Sequence, residues 1–369
     1  MPTVAIVHER FTEYAGSESV VEQLAVLYPE AYIYVPIVDR SALPASVPLE
    51  RIRHSFVQRL YHGGHGYAHL LPLLPVAMDK LHIRDVDLII ASHHAFANRV
   101  ALANANVPVI SYTHTPARWI WQPEMRKGEP GGRAGAKLLG SFAAAHKRMD
   151  VKAAHRLAGI IANSTAVADR VERYWGLRAQ VIHPPVDIEY YTPKSVPARE
   201  DFLLWVGRLV PYKRPELAIA VAGRLGVPLV VVGDGRLRGR LEDSAGQDVK
   251  FLGHVDKPQL RELFRTCRAL VTPGEEDFGI VTVEAQACGA PVIALGAGGA
   301  TDIIVPERTG VIVGSERLDD WTSALEHLND LSFDEGESRA NAERFSVGFF
   351  RHRMRMAIDE TLRAPDLLK

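Results

Sequence analysis

The chain has 369 residues, 47% hydrophobic and 24% charged, and its 43 basic and 44 acidic side chains leave a net charge of −1. At about 100–200 residues per domain this is two or three domains. The composition excludes a disordered, collagen-like or low-complexity chain, and the neutral total argues against a dedicated nucleic-acid binder. The charge is nevertheless unevenly spread: residues 1–50 carry 2 basic and 7 acidic side chains, residues 51–178 carry 18 and 8, and the remainder is acidic.

Met1 leads straight into Thr3-Val4-Ala5-Ile6-Val7, which reads as a buried strand and not as a secretory leader. Short apolar runs predict further strands at 32–35, 87–91, 107–112, 159–162 and 180–182, then at 202–206, 228–232, 249–252, 269–271 and 291–294. Between them, 216–225, 259–267 and 321–328 repeat apolar residues at helical spacing. This alternation predicts an α/β chain of parallel sheets with helices on both faces. It pauses at 184–197, a stretch with four prolines. The expected organisation is a first Rossmann-like domain over 1–190, a linker over 191–200, a second Rossmann-like domain over 201–345, and a C-terminal helix within 346–369 that packs back on the first domain. Two such domains facing each other would frame a cleft. No apolar run reaches the ~18–20 residues of a membrane span, and 70–78, broken by Pro72 and Pro75, reads as core or interface. Cys267 and Cys288 lack metal-site or disulfide spacing and read as buried thiols. Ten of the fifteen histidines fall within 51–178 and are expected mostly at the surface or an interface.

In open parallel sheets ligands bind beyond the carboxyl ends of the strands, so the loops after strands are where chemistry is expected. Ala15-Gly16-Ser17-Glu18-Ser19 lets backbone approach a ligand and precedes a helix whose free N–H groups suit phosphate. Ser17 or Ser19 is the expected cap, and an ordinary capped turn would look the same. The loop lacks GxGxxG, which argues against a nicotinamide or flavin site. Gly207-Arg208 follows a strand and Lys213 precedes the next helix, so two cations stand where a diphosphate could be neutralised. A solvated basic loop is the plainer reading. The most specific segment is Pro273-Gly274-Glu275-Glu276-Asp277-Phe278-Gly279, with Glu284 inside the following helix among apolar and small residues. A half-buried carboxylate there needs partners, and the vicinal hydroxyls of a ribose are suitable ones. Backbone N–H groups of 277–279 suit the hydroxyls of a sugar. His114 follows the strand at 107–112.

Taken together these loops resemble glycosyltransferase family 4, retaining enzymes of the GT-B fold. Glu276-x7-Glu284 is similar to that family's paired-glutamate motif, Gly207-Arg208 and Lys213 to its donor-phosphate cations, His114 to its histidine at the donor sugar, and Gly16 to its glycine loop. The stretches 206–214, 274–281, 296–300 and 183–187 resemble the branch of GDP-mannose-dependent mannosyltransferases of bacterial exopolysaccharide and O-antigen assembly. Two places depart from that branch: its Gly-Gly-Ala-Glu-Arg is Ala15-Gly16-Ser17-Glu18-Ser19 here, and its Arg-Tyr-x-Trp-Asp is Arg118-Trp119-Ile120-Trp121-Gln122.

The resemblance implies transfer of a hexose, mannose from GDP-mannose, to a hydroxyl of a glycan or polyprenyl-linked saccharide. It implies retention of configuration by front-side attack, with no metal and no cofactor beyond the nucleotide diphosphate sugar. Arg208 and Lys213 would stabilise the departing diphosphate, helped by N–H groups near Gly16. Glu284 would hold the ribose. Glu276, with Asp277, Phe278 and Gly279, would hold the sugar, and His114 would touch it near its reacting end. Arg118 and Trp119 fall on the acceptor side. The competing readings are a sugar-nucleotide epimerase of the same fold and a non-catalytic sugar-nucleotide-binding protein. Aromatic residues in the basic stretch are too irregular for nucleic-acid stacking. The basic surplus, notably 51–59 and 137–156 with Leu138, Leu139, Phe142 and Met149, is expected to meet an anionic membrane, making the chain cytoplasmic and peripheral at the inner face of the plasma membrane; a solvated helix face is the alternative.

Overall fold

The computed structural model describes residues 2–63, 67–126, 132–195 and 199–363. Within them the chain forms two compact units, one of 1–185 with 350–369 and one of 186–349. The division after Pro185 moves 186–190 from the first domain to the second. Val186, Ile188 and Tyr191 explain the shift, because all three are buried in the core of the second unit. Residues 196–198 of the expected linker and 364–369 of the expected C-terminal segment lie outside the described residues.

The first unit has seven strands: β1 Val4–His8, β2 Tyr32–Val35, β3 Ile52–His54, β4 Leu88–His93, β5 Val109–Thr113, β6 Gly159–Ala162 and β7 Gln180–Val181. They form one sheet in the order β3-β2-β1-β4-β5-β6-β7, and every pairing is parallel. Strand periodicity sorts the side chains onto two faces: Val4 and Ile6 enter one core, Ala5 and Val7 the other. Helix Gly16–Leu27 covers the first face through Val20, Val21 and Leu24. Helix Val347–Arg363 covers the same face with Phe350, Met354, Ala357 and Ile358.

The second unit repeats the plan with β8 Leu203–Val206, β9 Leu229–Val232, β10 Val249–Gly253, β11 Ala269–Thr272, β12 Val292–Leu295 and β13 Gly310–Val313. Their order is β10-β9-β8-β11-β12-β13, again parallel throughout. Leu204 and Val206 face one core, Leu203 and Trp205 the other. Both sheets therefore reverse direction of winding beside their first strand, between β1 and β4 and between β8 and β11. Such switch points open a crevice at the strands' carboxyl ends. Cys267 and Cys288 are free and buried.

Much of the basic surplus is absorbed by the fold. The Arg51 guanidinium donates to the carbonyls of Ala25, Tyr28 and Ala31, capping the end of helix Gly16–Leu27, and Arg53 lies 3.9 Å over the Tyr32 ring. In helix Gly132–Ala154 the apolar side turns inward, with Phe142 stacked on Trp119 and Ala143 fully buried. Lys147 sits 5.1 Å from the Trp121 ring centroid. Lys137, Arg148, Lys152 and, just past the helix, Arg156 remain exposed along one side with Leu138. Of the four apolar residues expected at a membrane, only Leu138 is fully presented to solvent. Among the described residues no helix is long and apolar enough to cross a membrane.

Candidate functional site

In the second unit the sequence-predicted residues converge at the switch point. Gly207 ends β8, and a Cβ there would meet the Lys213 side chain at 3.1 Å, so the glycine lets that side chain lie flat across the strand end. Lys213 closes the short turn Pro211–Lys213 ahead of helix Pro215–Leu225. Its Nζ donates to Glu276 Oε1 at 2.9 Å, and both side chains are largely buried. Burial opposes the charged ammonium, but the carboxylate of Glu276 outweighs it and holds Lys213 above the usual lysine range. Arg208 lies next to this pair and is exposed.

Two glycines bring the loops this close. A Cβ on Gly274 would fall 2.5 Å from Lys213 Cα, and one on Gly298, at φ +65°, would fall 2.0 Å from the Glu276 carbonyl oxygen. The loop after β12 is thus pressed on the acidic loop after β11, and Gly299 N–H donates to the Glu276 carbonyl at 3.0 Å. Asp277 stays part-exposed, whereas the Phe278 ring is buried against Phe345 at 5.6 Å. The ring of Phe278 is thus a packing group, which leaves its backbone as the part that could meet a ligand. Gly279, at φ +96°, starts helix Ile280–Ala287. Glu284 sits half-buried in that helix and is pushed up to about 7, chiefly by burial, with Asp187 adding and Lys257 and the Tyr191 hydroxyl opposing. Tyr191 and Lys257 were not anticipated; the paired tyrosines at 190–191 were the available signal.

In the first unit the switch point carries a chain of polar groups. Glu18 Oε1 lies 3.2 Å from His8 Nε2, His8 Nδ1 lies 3.0 Å from Ser92 Oγ, and Ser92 Oγ lies 2.9 Å from His114 Nε2. Gly16 is the first residue of its helix. The cap there is neither Ser17 nor Ser19: Ala15 precedes the helix, both serines lie inside it, and the Glu18 carboxylate reaches back to the Ala15 N–H at 3.0 Å and takes the Ser17 hydroxyl at 2.9 Å. Burial opposes ionisation of Glu18, but the His8 ring and these donors together hold it below the usual carboxylate range. His114 follows β5 and is lowered to about 3, chiefly by burial, with Glu18 opposing. It is a neutral imidazole at physiological pH.

A second buried group stands beside this chain. Glu9 accepts four backbone N–H groups, from 94 to 97, at 2.7–3.3 Å. His93, fully buried, lies between Glu9 and Asp150, so it departs from the surface role expected of most of these histidines. Asp150 accepts the indole N–H groups of Trp121 and Trp175 at 2.7 and 2.8 Å. Of the two acceptor-side residues, Arg118 donates to Gln122 at 3.0 Å. Trp119 stacks on Phe142 and meets Phe96 edge-on, which makes it largely a packing residue. His8 and Ser92 were not anticipated, and Glu18 was read only as part of the loop at 15–19. Their signal was polar residues at the very ends of the first and fourth strands, legible only once those strands are known to be neighbours.

Comparison with known proteins agrees with this geometry. The model of Glycosyltransferase Family 4 matches residues 14–190, and that of Glycosyl transferases group 1 matches residues 189–345. A D-inositol 3-phosphate glycosyltransferase of Mycobacteroides abscessus is 37% identical over 172 residues, 41% of this chain and 39% of that protein, so the match spans about two fifths of the relative's length. Among solved structures, Anabaena Alr3699/HepE in complex with UDP and glucose superposes with a TM-score of 0.73 at 20% identity, covering 97% of this chain and all of that one. Sucrose-phosphate synthase from Thermosynechococcus elongatus superposes with a TM-score of 0.72 at 17% identity, over 98% of this chain and all of that one. Two parallel sheets of the same strand order, and two family models that adjoin across 14–345, lead to one conclusion: the chain belongs to the family 4, group 1 glycosyltransferases of GT-B fold.

Proposed function

We propose that the protein transfers a hexose from a nucleotide diphosphate sugar to a hydroxyl of a saccharide or lipid-linked saccharide, with retention of configuration and without a metal. The observation that carries this is the Lys213–Glu276 pair at the β8/β11 switch point, with Glu284 on the helix that follows. A nucleotide sugar presents a diphosphate, a sugar and a ribose in sequence. A cation, a carboxylate beside it and a second half-buried carboxylate are the complementary set. On donor binding, Lys213 exchanges part of its contact with Glu276 for the diphosphate, and Glu276 turns its oxygens to sugar hydroxyls. Arg208 adds the second cation. Charge developing on the leaving diphosphate is then met by groups already in place, which is the service a metal would otherwise give.

The donor we infer is GDP-mannose, from the resemblance of 206–214, 274–281, 296–300 and 183–187 to that branch. A uridine nucleotide is the competing donor, since the Anabaena relative was solved with UDP and glucose. The exposed basic side of helix Gly132–Ala154 supports peripheral attachment to an anionic membrane, where a polyprenyl-linked acceptor would be found. A matrix of GDP- and UDP-sugars, scored by thermal shift and by slow donor hydrolysis, tests the donor. Only the matching nucleotide sugar should raise Tm in proportion to its saturation. A response to UDP-glucose and none to GDP-mannose would replace the inferred donor, and no response to any nucleotide sugar would overturn the function.

A further inference from the structure

We propose that Glu18, His8 and Ser92 form a positioning relay that decides which ring nitrogen of His114 carries the proton, and so fixes His114 Nδ1 as an acceptor for a hydroxyl of the transferred sugar. The proposal rests on the reading that gives His114 its contact with the sugar. Its physical basis is the directionality of three consecutive hydrogen bonds, all within the first unit.

The polarity is set from the Glu18 end. An ionised carboxylate can only accept, and Glu18 already accepts from the Ala15 N–H and the Ser17 hydroxyl. Its contact with His8 therefore requires the proton on His8 Nε2. In a neutral ring the other nitrogen is then a bare acceptor, so His8 Nδ1 takes the hydroxyl proton of Ser92. A serine hydroxyl has one proton to give. With it directed to His8, Ser92 Oγ can meet His114 only as an acceptor, and His114 Nε2 must be the N–H. The remaining nitrogen, Nδ1, is left with its lone pair, and it has no hydrogen-bond partner among the described residues. His114 is pinned on its backbone as well, since its N–H donates to the His93 carbonyl at 2.8 Å.

The same chain can run backwards. If His8 takes a second proton, its Nδ1 becomes a donor, the Ser92 hydroxyl turns to His114 Nε2, and the His114 proton moves to Nδ1. The groups packed around His8 come from three segments. Glu18 faces it from the helix after β1, and Phe11 lies 5.0 Å away ring to ring. His94 lies 6.3 Å away after β4 and is itself bonded to Arg10 at 2.8 Å. His93 and His114 complete the surround. Ser92, His8 and Glu18 are all buried, so water does not compete for these bonds.

The test is the ring-nitrogen spectrum of His114 in protein labelled with 15N-histidine, recorded without donor, alongside turnover with the matching donor. Wild type should show His114 protonated at Nε2. Ser92→Ala should release the ring to a mixture of tautomers and lower kcat roughly 10- to 100-fold through lost orientation, with donor KM little changed, and Ser92→Thr should restore both. Glu18→Gln keeps the shape of the carboxyl but can donate to His8, so it should populate the Nδ1–H form of His114. A wild-type His114 protonated at Nδ1, or an unchanged tautomer and unchanged kcat in Ser92→Ala, would overturn the relay. If the spectra follow the relay but the wild type turns over no sugar nucleotide, the relay stands and the functional reading beneath it falls.

Discussion

Burial raises the Glu284 carboxyl from an ordinary 4.5 to about 7, with Lys257 and the Tyr191 hydroxyl opposing and Asp187 adding. A carboxyl held that high couples both stability and ligand binding to pH. Between about 4.5 and 7 the folded chain keeps a proton that the unfolded chain has released, so this group's contribution to stability falls as pH rises through that window. The full difference is about 3 kcal/mol, at 1.36 kcal/mol per pKa unit. Glu284→Gln mimics the protonated form at every pH. Its stability relative to wild type should be near zero at about pH 4 and grow to about 3 kcal/mol at about pH 8, measured by denaturant unfolding. Taking the difference cancels the other carboxyls. Donor binding should run the other way. Ribose hydroxyls donate to the ionised carboxylate, which at about pH 6 is only roughly a tenth populated, so donor affinity should weaken about tenfold from pH 8 to pH 6. Calorimetry in buffers of different ionisation enthalpy should then report proton release at the lower pH and almost none at the higher. A donor affinity flat across that range, or a Glu284→Gln variant no more stable than wild type at pH 8, would refute the assignment of Glu284 as a ribose ligand held in place at a cost to stability.

Other outcomes follow from the same geometry. Alanine at Lys213 or at Glu276 should lower turnover at least ~100-fold, the scale of a single electrostatic contribution to a transition state; near-wild-type kcat in either variant would remove that residue from the site. Gly298→Ala forces a Cβ to 2.0 Å from the Glu276 carbonyl oxygen at a left-handed φ, so it should cost about 2 kcal/mol or more and lower Tm while weakening donor binding. An unchanged melting curve would show that the loops after β11 and β12 are not pressed together as described. The basic side of helix Gly132–Ala154 should hold the protein on anionic vesicles at low salt and release it as salt rises. Vesicle binding should fall when Lys137, Arg148 and Lys152 are changed to serine, and no binding even at low ionic strength would point to a soluble acceptor.

What could be read from the sequence, and what could not, has a physical pattern. The central strands are continuous apolar runs because parallel strands are buried on both faces, and each of them was legible. The two missed strands are the edges β3 and β13. In β3 only Ile52 is buried, while Arg53 and His54 face solvent, so no period shows. In β13 the opening Gly310 reads as a breaker, although its lack of a Cβ is what lets it lie against Val292, whose carbonyl oxygen would be 2.1 Å from that Cβ. The site divides the same way. Lys213, Glu276 and Glu284 could be singled out because each lies in or beside a recognisable local element. The relay from Glu18 to His114 could not, because its members come from four separate segments and meet only through the β1–β4–β5 adjacency. The apolar residues of 137–156 were visible, but their direction was not: periodicity says that a helix has an apolar side and leaves open whether a core or a membrane receives it.

The two units show how one topology supports opposite electrostatics. Both sheets place polar side chains at the crevice beside their first strand, and both bury them. In the second unit the polar set is charged, Lys213 against Glu276, with Arg208 beside it. A desolvated ion pair of this kind is costly to maintain unless it has a further partner, which in the proposed function is a diphosphate sugar. In the first unit the set is two imidazoles and a serine, with the carboxylate of Glu18 held at the far end from His114. Burial there favours the uncharged ring of His114, lowered to about 3. The basic excess of 51–178 is reduced by Arg51 and Arg53, one a helix cap and the other stacked on Tyr32, and vesicle binding is the measurement that says what the remainder meets.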